Sequence, residues 1–104
     1  MSSARPETVS HAVEKSARLL PQLVAILKDM TQDWDEPFTD EMGRDTRLLA
    51  DLGFESIDVI HLVVAIEEAF DRRKIPFEKL LMHNGRYVDD LSIGQLADFL
   101  VDFV

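Results

Sequence analysis

Ser56 occupies the position in this sequence that best suits chemistry, because it opens an apolar helical pattern directly after Gly53-Phe54-Glu55. Serine favours the N-cap of a helix, so a structural cap is the simplest interpretation. A second interpretation is covalent attachment of a phosphate group, since the N–H groups at a helix start stabilise an anion by about 0.3–1 kcal/mol. A catalytic serine is disfavoured, because the flanking residues do not form the G-x-S-x-G pattern.

Other residue types that carry chemistry are few. The chain has no cysteine, which excludes a disulfide framework, a thiolate zinc site and a cysteine nucleophile. Its three histidines suggest no catalytic triad. Asp33 and Asp35 resemble the start of a calcium loop, but the sixth and twelfth positions counted from Asp33 hold Phe38 and Arg44 instead of Gly and Glu. The sequence therefore predicts neither an enzyme nor a metal site.

A long helix is predicted before Ser56. Apolar residues recur at helical spacing from about Pro6 to Met30, and Pro21 lies among them. The apolar phase continues across Pro21, which favours one kinked helix over a second helix that begins there. Residues 31–45 are polar, acidic and punctuated by proline and glycine, which is typical of a loop.

The remaining segments are also helical in pattern. Four further helical segments are predicted, at residues 46–53, 56–72, 77–82 and 92–104. The first is a short turn that ends at Gly53, and the last begins with Ser92 and Gln95 in capping-box spacing. Asn84-Gly85 is a turn signal. No strand pattern competes, so the expected class is all-α.

Length and composition fit one acidic, folded domain over residues 1–104, with residues 1–7 expected to be flexible. The apolar fraction of 46% is too high for a disordered tail. No apolar run approaches a membrane span, and the N-terminus lacks an apolar signal core, so a cytoplasmic protein is expected. A net charge of −9 makes nucleic acid and anionic membranes poor partners.

The negative charge is confined to the middle of the chain. Residues 1–30 carry a net charge of +1, residues 31–71 carry −10, and residues 72–104 are neutral. A solvated surface is the plain interpretation of this distribution. A docking surface for basic partners is the sharper one.

The predicted helix 56–72 has apolar residues on two sides. An arc of about 100° holds the expected core stripe, formed by Val59, Leu62, Val63, Ile66 and Phe70. The opposite side holds Ile57, Ile60 and Val64, and Glu67, Glu68 and Asp71 continue it. Either these aliphatic residues pack beneath the loop 31–45, or they form a docking surface for a partner.

The segment Leu49-Ala-Asp-Leu-Gly-Phe-Glu-Ser-Ile-Asp58 resembles the signature of acyl carrier proteins, approximately D-L-G-x-D-S-L-D. The resemblance continues to Asp71 and to Ile75-Pro76, over about 30 residues. It implies a small four-helix bundle with a long acidic loop after the first helix. It also implies a non-catalytic carrier, in which 4′-phosphopantetheine on Ser56 holds acyl groups as thioesters. The missing cysteine is consistent with this, because the prosthetic group would supply the thiol.

The resemblance also assigns site residues and partners by position. The partner face would comprise Glu55, Ile57, Asp58, Ile60, Val64, Glu67 and Glu68. The acyl cavity would lie between helices and be lined by Leu48, Leu52, Ile66 and Phe70. The resemblance implies a monomer. Its implied partners are a phosphopantetheinyl transferase and acyl-transferring, synthase or ligase enzymes with basic docking patches. These enzymes would belong to fatty-acid, lipid or polyketide-type biosynthesis.

This sequence departs from the family pattern at a few positions. Glu55 replaces the usual Asp, Ile57 the usual Leu, and His61 stands where an acidic residue is common. His61 and Asp58 would supply only two metal ligands, so a solvated histidine is expected. The stretch 77–92 is longer than in short fatty-acid carriers, which suggests a specialised carrier. The alternatives are a peptidyl or aminoacyl carrier and an unmodified acidic helical adaptor.

Overall fold

The computed structural model describes residues 7–34 and 41–104, with side chains described from residue 12 onward. The expected flexible segment 1–7 and the central part of the acidic loop lie largely outside the described residues. The described chain is mainly helical, as predicted, and its elements in order are α1 (Glu7–Thr31), α2 (Ser56–Ala69), α3 (Glu78–Leu81), β1 (Met82–His83), β2 (Arg86–Tyr87) and α4 (Ile93–Leu100).

Helix α1 is a single helix that contains Pro21, which confirms the choice of one helix over two. Its core side is buried at Leu19, Leu23 and Leu27, at the spacing of one helical face. This side packs against α4 and α2. Pro21 itself is exposed.

Helices α2 and α4 are both shorter than predicted. Helix α2 ends at Ala69 rather than Arg72, and Asp71 then adopts a φ of 54° that a continuing helix does not allow. Helix α4 ends at Leu100, and a turn follows in which Phe103 N–H donates to Leu100 O at 2.9 Å. Apolar residues continue past the ends of both helices. Apolar periodicity alone therefore placed the predicted ends too far towards the C-terminus.

A short antiparallel hairpin follows α3, a small addition to the helical fold that no strand pattern in the sequence indicated. Met82 pairs with Tyr87 and His83 pairs with Arg86. The turn residues Asn84 and Gly85 have φ values of 53° and 78°, as the tightest hairpin turns require. Strands of two residues are too short for alternation to show, although the Asn-Gly signal marked the turn correctly.

The helical turn before Ser56 is fastened to the start of α4. Leu48 N–H donates to Leu91 O at 2.8 Å, and Ile93 N–H donates to Thr46 O at 2.9 Å. The turn ends at Gly53, as predicted, with a φ of 76° that favours glycine. These bonds hold the chain leading to Ser56 against the C-terminal part of the fold.

A polar cluster joins α1, the loop after it and α4. The Arg44 guanidinium donates to Asp98 Oδ2 at 2.8 Å, and Ser16 Oγ donates to Asp98 Oδ1 at 2.5 Å. The hydrogen bond from Arg44 lowers the pKa of Asp98, against the opposing effect of burial, and the Ser16 hydroxyl adds to it. The cluster ties the loop that precedes the Ser56 segment to two helices.

Candidate functional site

Ser56 is the first residue of α2, and its side chain is exposed. Glu55 occupies the N-cap position with φ −108° and ψ 175°, so the simplest interpretation of Ser56 as the cap was wrong. The Asp58 carboxylate accepts the Glu55 N–H at 2.8 Å, as the third helical residue does in a capping box. The Ser56 hydroxyl makes no hydrogen bond to the described residues, which leaves it available for reaction.

The segment before Ser56 is anchored by Phe54. This ring is buried and lies 5.4 Å, between centroids, from Trp34, three residues beyond the end of α1. Phe54 N–H also donates to Leu48 O at 2.9 Å. Because the ring contact and the backbone hydrogen bond both fix Phe54, the fold sets the position of Ser56 two residues later.

A cavity of about 280 Å³ opens beside Ser56. One wall comes from the turn before α2 and from the first turns of α2, and the other from the segment 81–91. The lining is mostly apolar and consists of Leu48, Leu49, Glu55, Ser56, Val59, Ile60, Leu81, Tyr87, Val88, Asp90 and Leu91. An apolar cavity beside an exposed hydroxyl can shelter an apolar group attached to that hydroxyl.

Asp90 holds the two walls together. Its carboxylate accepts the backbone N–H groups of Leu49 at 2.9 Å, Ala50 at 3.0 Å and Leu91 at 2.8 Å. Burial raises the pKa of Asp90, but these three bonds and the nearby Arg47 outweigh it, and the net effect is a lowered pKa. The negative charge of the Asp90 carboxylate is therefore already engaged in hydrogen bonds to the backbone.

The residues expected to line an acyl cavity are only partly at this cavity. Leu48 lines it. Leu52 and Ile66 are buried in the helical core, and Phe70 packs against that core. The sequence prediction missed the wall formed by residues 81–91, because a wall made of a hairpin and its flanks has no periodic pattern.

The expected partner face lies on the exposed side of α2. Ile57, Ile60 and Val64 are each about half exposed. Glu55 and Glu68 are exposed beside them, and Asp58 and Glu67 are half-buried. Glu67 has an additional structural contact, since its Oε2 accepts the Ile75 N–H at 3.1 Å.

The opposite side of α2 forms part of the core, as predicted. Leu62 and Ile66 are buried, and Val59, Val63 and Phe70 are partly buried against them. The two-sided apolar pattern of this helix is therefore confirmed. The hypothesis that the loop covers Ile57, Ile60 and Val64 partly concerns residues 35–40, which lie outside the described residues.

None of the described helices has the length and apolar character needed to cross a membrane. In the same part of the chain, no three side chains of the metal-binding types lie close enough together to hold an ion.

Comparison with known proteins gives two matches. The family described as "Phosphopantetheine attachment site" matches residues 21–100. The acyl carrier protein of Sulfurovum sp. (strain NBC37-1) is 50% identical over 32 residues, which make up 31% of this chain and 43% of the relative. The chain thus spans less than half the length of this curated relative. No solved structure matches the chain significantly.

Proposed function

Since the chain belongs to the phosphopantetheine attachment site family, in which 4′-phosphopantetheine is covalently bound, we propose that it is an acyl carrier protein with the arm on Ser56. Proteins of this family are carriers rather than catalysts. The proposed activity is delivery of a tethered acyl group to successive enzymes. Tethering raises the effective concentration of the group at each active site.

The observation that carries the proposal is the state of the Ser56 hydroxyl. It is exposed at the start of α2, and Glu55 rather than Ser56 occupies the cap. In a serine that served only as a helix cap, the hydroxyl would accept a hydrogen bond from a backbone N–H of the first turn. The alternative of an unmodified adaptor, which depends on Ser56 as a plain cap, is therefore disfavoured.

The residues around Ser56 suit a 4′-phosphopantetheine arm. The N–H groups of the first turn of α2 favour the phosphate, and the apolar cavity beside Ser56 suits an uncharged chain. When bound, the prosthetic group supplies a thiol that carries acyl groups as thioesters. The chain's own residues fix the attachment point through Phe54 and keep water from an acyl tail through the cavity walls.

The cavity favours an acyl cargo over an aminoacyl one. Its lining is dominated by aliphatic side chains, and the Asp90 carboxylate is already occupied by three backbone N–H groups. A charged ammonium group would lose water among these aliphatic side chains, because the second carboxylate of the lining, Glu55, is exposed to solvent rather than buried among them. We propose that the protein acts in fatty-acid, lipid or polyketide-type biosynthesis, as a cytoplasmic monomer. The hairpin within the long segment 77–92 supports a specialised role.

The partner enzymes are proposed to dock on α2. Its exposed aliphatic residues lie next to Glu55 and Glu68, so the complementary surface is an apolar patch flanked by basic side chains. Binding through exposed charges is weak and sensitive to salt. Weak binding suits a carrier that must leave each enzyme.

The test is modification by a broad-specificity phosphopantetheinyl transferase with coenzyme A, followed by intact mass measurement. The wild type should gain one phosphopantetheine, and Ser56→Ala should gain none. Ser92→Ala is the matched control, because Ser92 Oγ accepts the Gln95 N–H at 3.1 Å as a true helix cap. The control should still be modified. A wild type that several transferases leave unmodified would contradict the proposal.

A further inference from the structure

Large apolar side chains that are exposed on the described surface concentrate around Ser56. Leu49, Ile60 and Tyr87 border the same cavity as Ser56. Ile57 and Val64 lie on the same side of α2 as Ile60. In the described part of the chain, only Met82 on the hairpin and Val13 on α1 remain. Exposed apolar surface of this kind marks a site of interaction.

The hairpin adds its own apolar face to this surface. Met82 and Tyr87 are directly opposite each other across the two strands, so their side chains share one face. Tyr87 is 77% exposed although it borders the cavity, and Met82 is 37% exposed. The other cross-strand pair, His83 and Arg86, has its side chains on the opposite face.

We propose that the Met82–Tyr87 face of the hairpin is a second docking surface, for the same enzymes that act on the group at Ser56. An enzyme that reaches Ser56 must cover the rim of the cavity, and Tyr87 forms the rim opposite α2. The enzyme therefore buries the exposed ring when it binds. This inference rests on the proposed function of Ser56 but concerns residues outside α2.

The two docking surfaces differ in charge, and this difference defines the partner. Glu55 and Glu68 lie beside the α2 surface, whereas Met82 and Tyr87 are uncharged and the Arg86 side chain is on the opposite face of the hairpin. The partner is then an enzyme with a basic patch over α2 and an apolar, non-basic patch over the hairpin. Such an arrangement fixes the orientation of the enzyme as well as its affinity, because the reversed orientation would place the basic patch of the enzyme over an apolar face and leave the α2 carboxylates without a partner.

A phosphopantetheinyl transferase is the first enzyme to reach Ser56, so it is the probe. The experiment measures kcat and KM for the unmodified protein at saturating coenzyme A. Tyr87→Ala should raise KM on the order of five- to tenfold with little change in kcat, as truncation of an interface tyrosine does. Met82→Ala should raise it less, and Tyr87→Phe should keep most of the wild-type efficiency.

Val13→Ala is the matched control, because Val13 is 64% exposed on α1 and does not border the cavity. Its KM should equal that of the wild type. Circular dichroism should show that Tyr87→Ala remains folded, since the truncated ring is mostly exposed.

Four outcomes are distinct. A raised KM for Tyr87→Ala supports the inference, and the unmodified substrate carries no arm or cargo that could explain it. Equal kinetics for Tyr87→Ala and wild type overturn it. Equal kinetics together with faster hydroxylamine cleavage of an octanoyl thioester on Tyr87→Ala also overturn it and assign the ring to the cargo. Failure to modify the wild type at all is a different result, which contradicts the proposed function.

Discussion

The carboxylate of Asp90 accepts the backbone N–H of Leu49 at 2.9 Å, and this bond joins the two walls of the cavity beside Ser56. Leu49 belongs to the turn that leads into α2, whereas Asp90 follows the hairpin. The cavity thus has its shape because one carboxylate bonds to backbone groups on both sides. A change at Asp90 should act on the cavity and on stability together.

Asp90→Ala should lower the free energy of unfolding by about 1–3 kcal/mol, because it leaves the N–H groups of Leu49, Ala50 and Leu91 without their acceptor. Chemical denaturation followed by circular dichroism measures the change. Asp89→Ala is the control, since Asp89 is exposed next to it and should be near wild type. Equal stability of the two variants would show that the carboxylate contributes nothing to the fold.

Stability should fall in acid through Asp90 and Asp98. Both have a pKa below the ordinary value of 3.8 in the folded protein. For Asp98 the main cause is the hydrogen bond from Arg44. Because the folded pKa is the lower one, the unfolded chain takes up protons first as the pH falls. The stabilisation is therefore present above about pH 4 and is lost as the pH drops through the folded pKa values.

The measurement is the free energy of unfolding between about pH 6 and about pH 3. Asp98→Asn should reduce the slope of its loss, and the double variant with Asp90→Asn should reduce it further. An unchanged slope in the double variant would mean that other carboxylates cause the acid sensitivity.

Gly94→Ala should destabilise the protein by about 1–3 kcal/mol through steric overlap. A Cβ at Gly94 would lie 3.0 Å from the Cβ, the Cζ and the backbone oxygen of Arg44. The backbone oxygen cannot retreat freely, because it accepts the Gly94 N–H at 2.9 Å. Thermal unfolding should show the loss. Gly43→Ala is the control, since a Cβ there meets nothing within 4 Å; equal melting temperatures would contradict the prediction.

Glu68→Lys should raise the KM of a partner enzyme for the carrier by about threefold at low salt, because Glu68 is an exposed charge next to the aliphatic residues of α2. The difference should shrink as ionic strength rises. Glu67 is a poorer choice of variant, since its carboxylate also accepts the Ile75 N–H. Glu14→Lys makes the same charge change on α1 and should leave KM unchanged. An equal effect of both variants would indicate net charge rather than a docking surface.

The helices around Ser56 could be predicted because their apolar residues repeat at helical spacing. Helix α2 has this property on its core side, where Leu62 and Ile66 are buried, and α1 keeps it across Pro21. The ends of α2 and α4 could not be predicted, since apolar residues continue beyond them. Helix ends depend on caps and on local φ, such as that of Asp71, which periodicity does not reveal.

The position of the cavity could not be predicted from the sequence, for a different reason. The family pattern pointed to positions between helices, whereas Leu52 and Ile66 fill the core and the cavity lies against the segment 81–91. The Asn84-Gly85 signal marked the turn of the hairpin, but nothing in the pattern placed Tyr87 opposite Ser56. The contact between Asp90 and Leu49 joins residues 41 positions apart, and such contacts require the fold.

The central claim is that Ser56 carries the prosthetic group, and one peptide tests it most directly. Trypsin cleaves after Arg47 and Arg72, and the peptide 48–72 between them contains Ser56 as its only serine, threonine or tyrosine. After treatment with transferase and coenzyme A, this peptide should gain the mass of one phosphopantetheine. An unmodified peptide 48–72, with the added mass elsewhere in the chain or absent, would contradict the account.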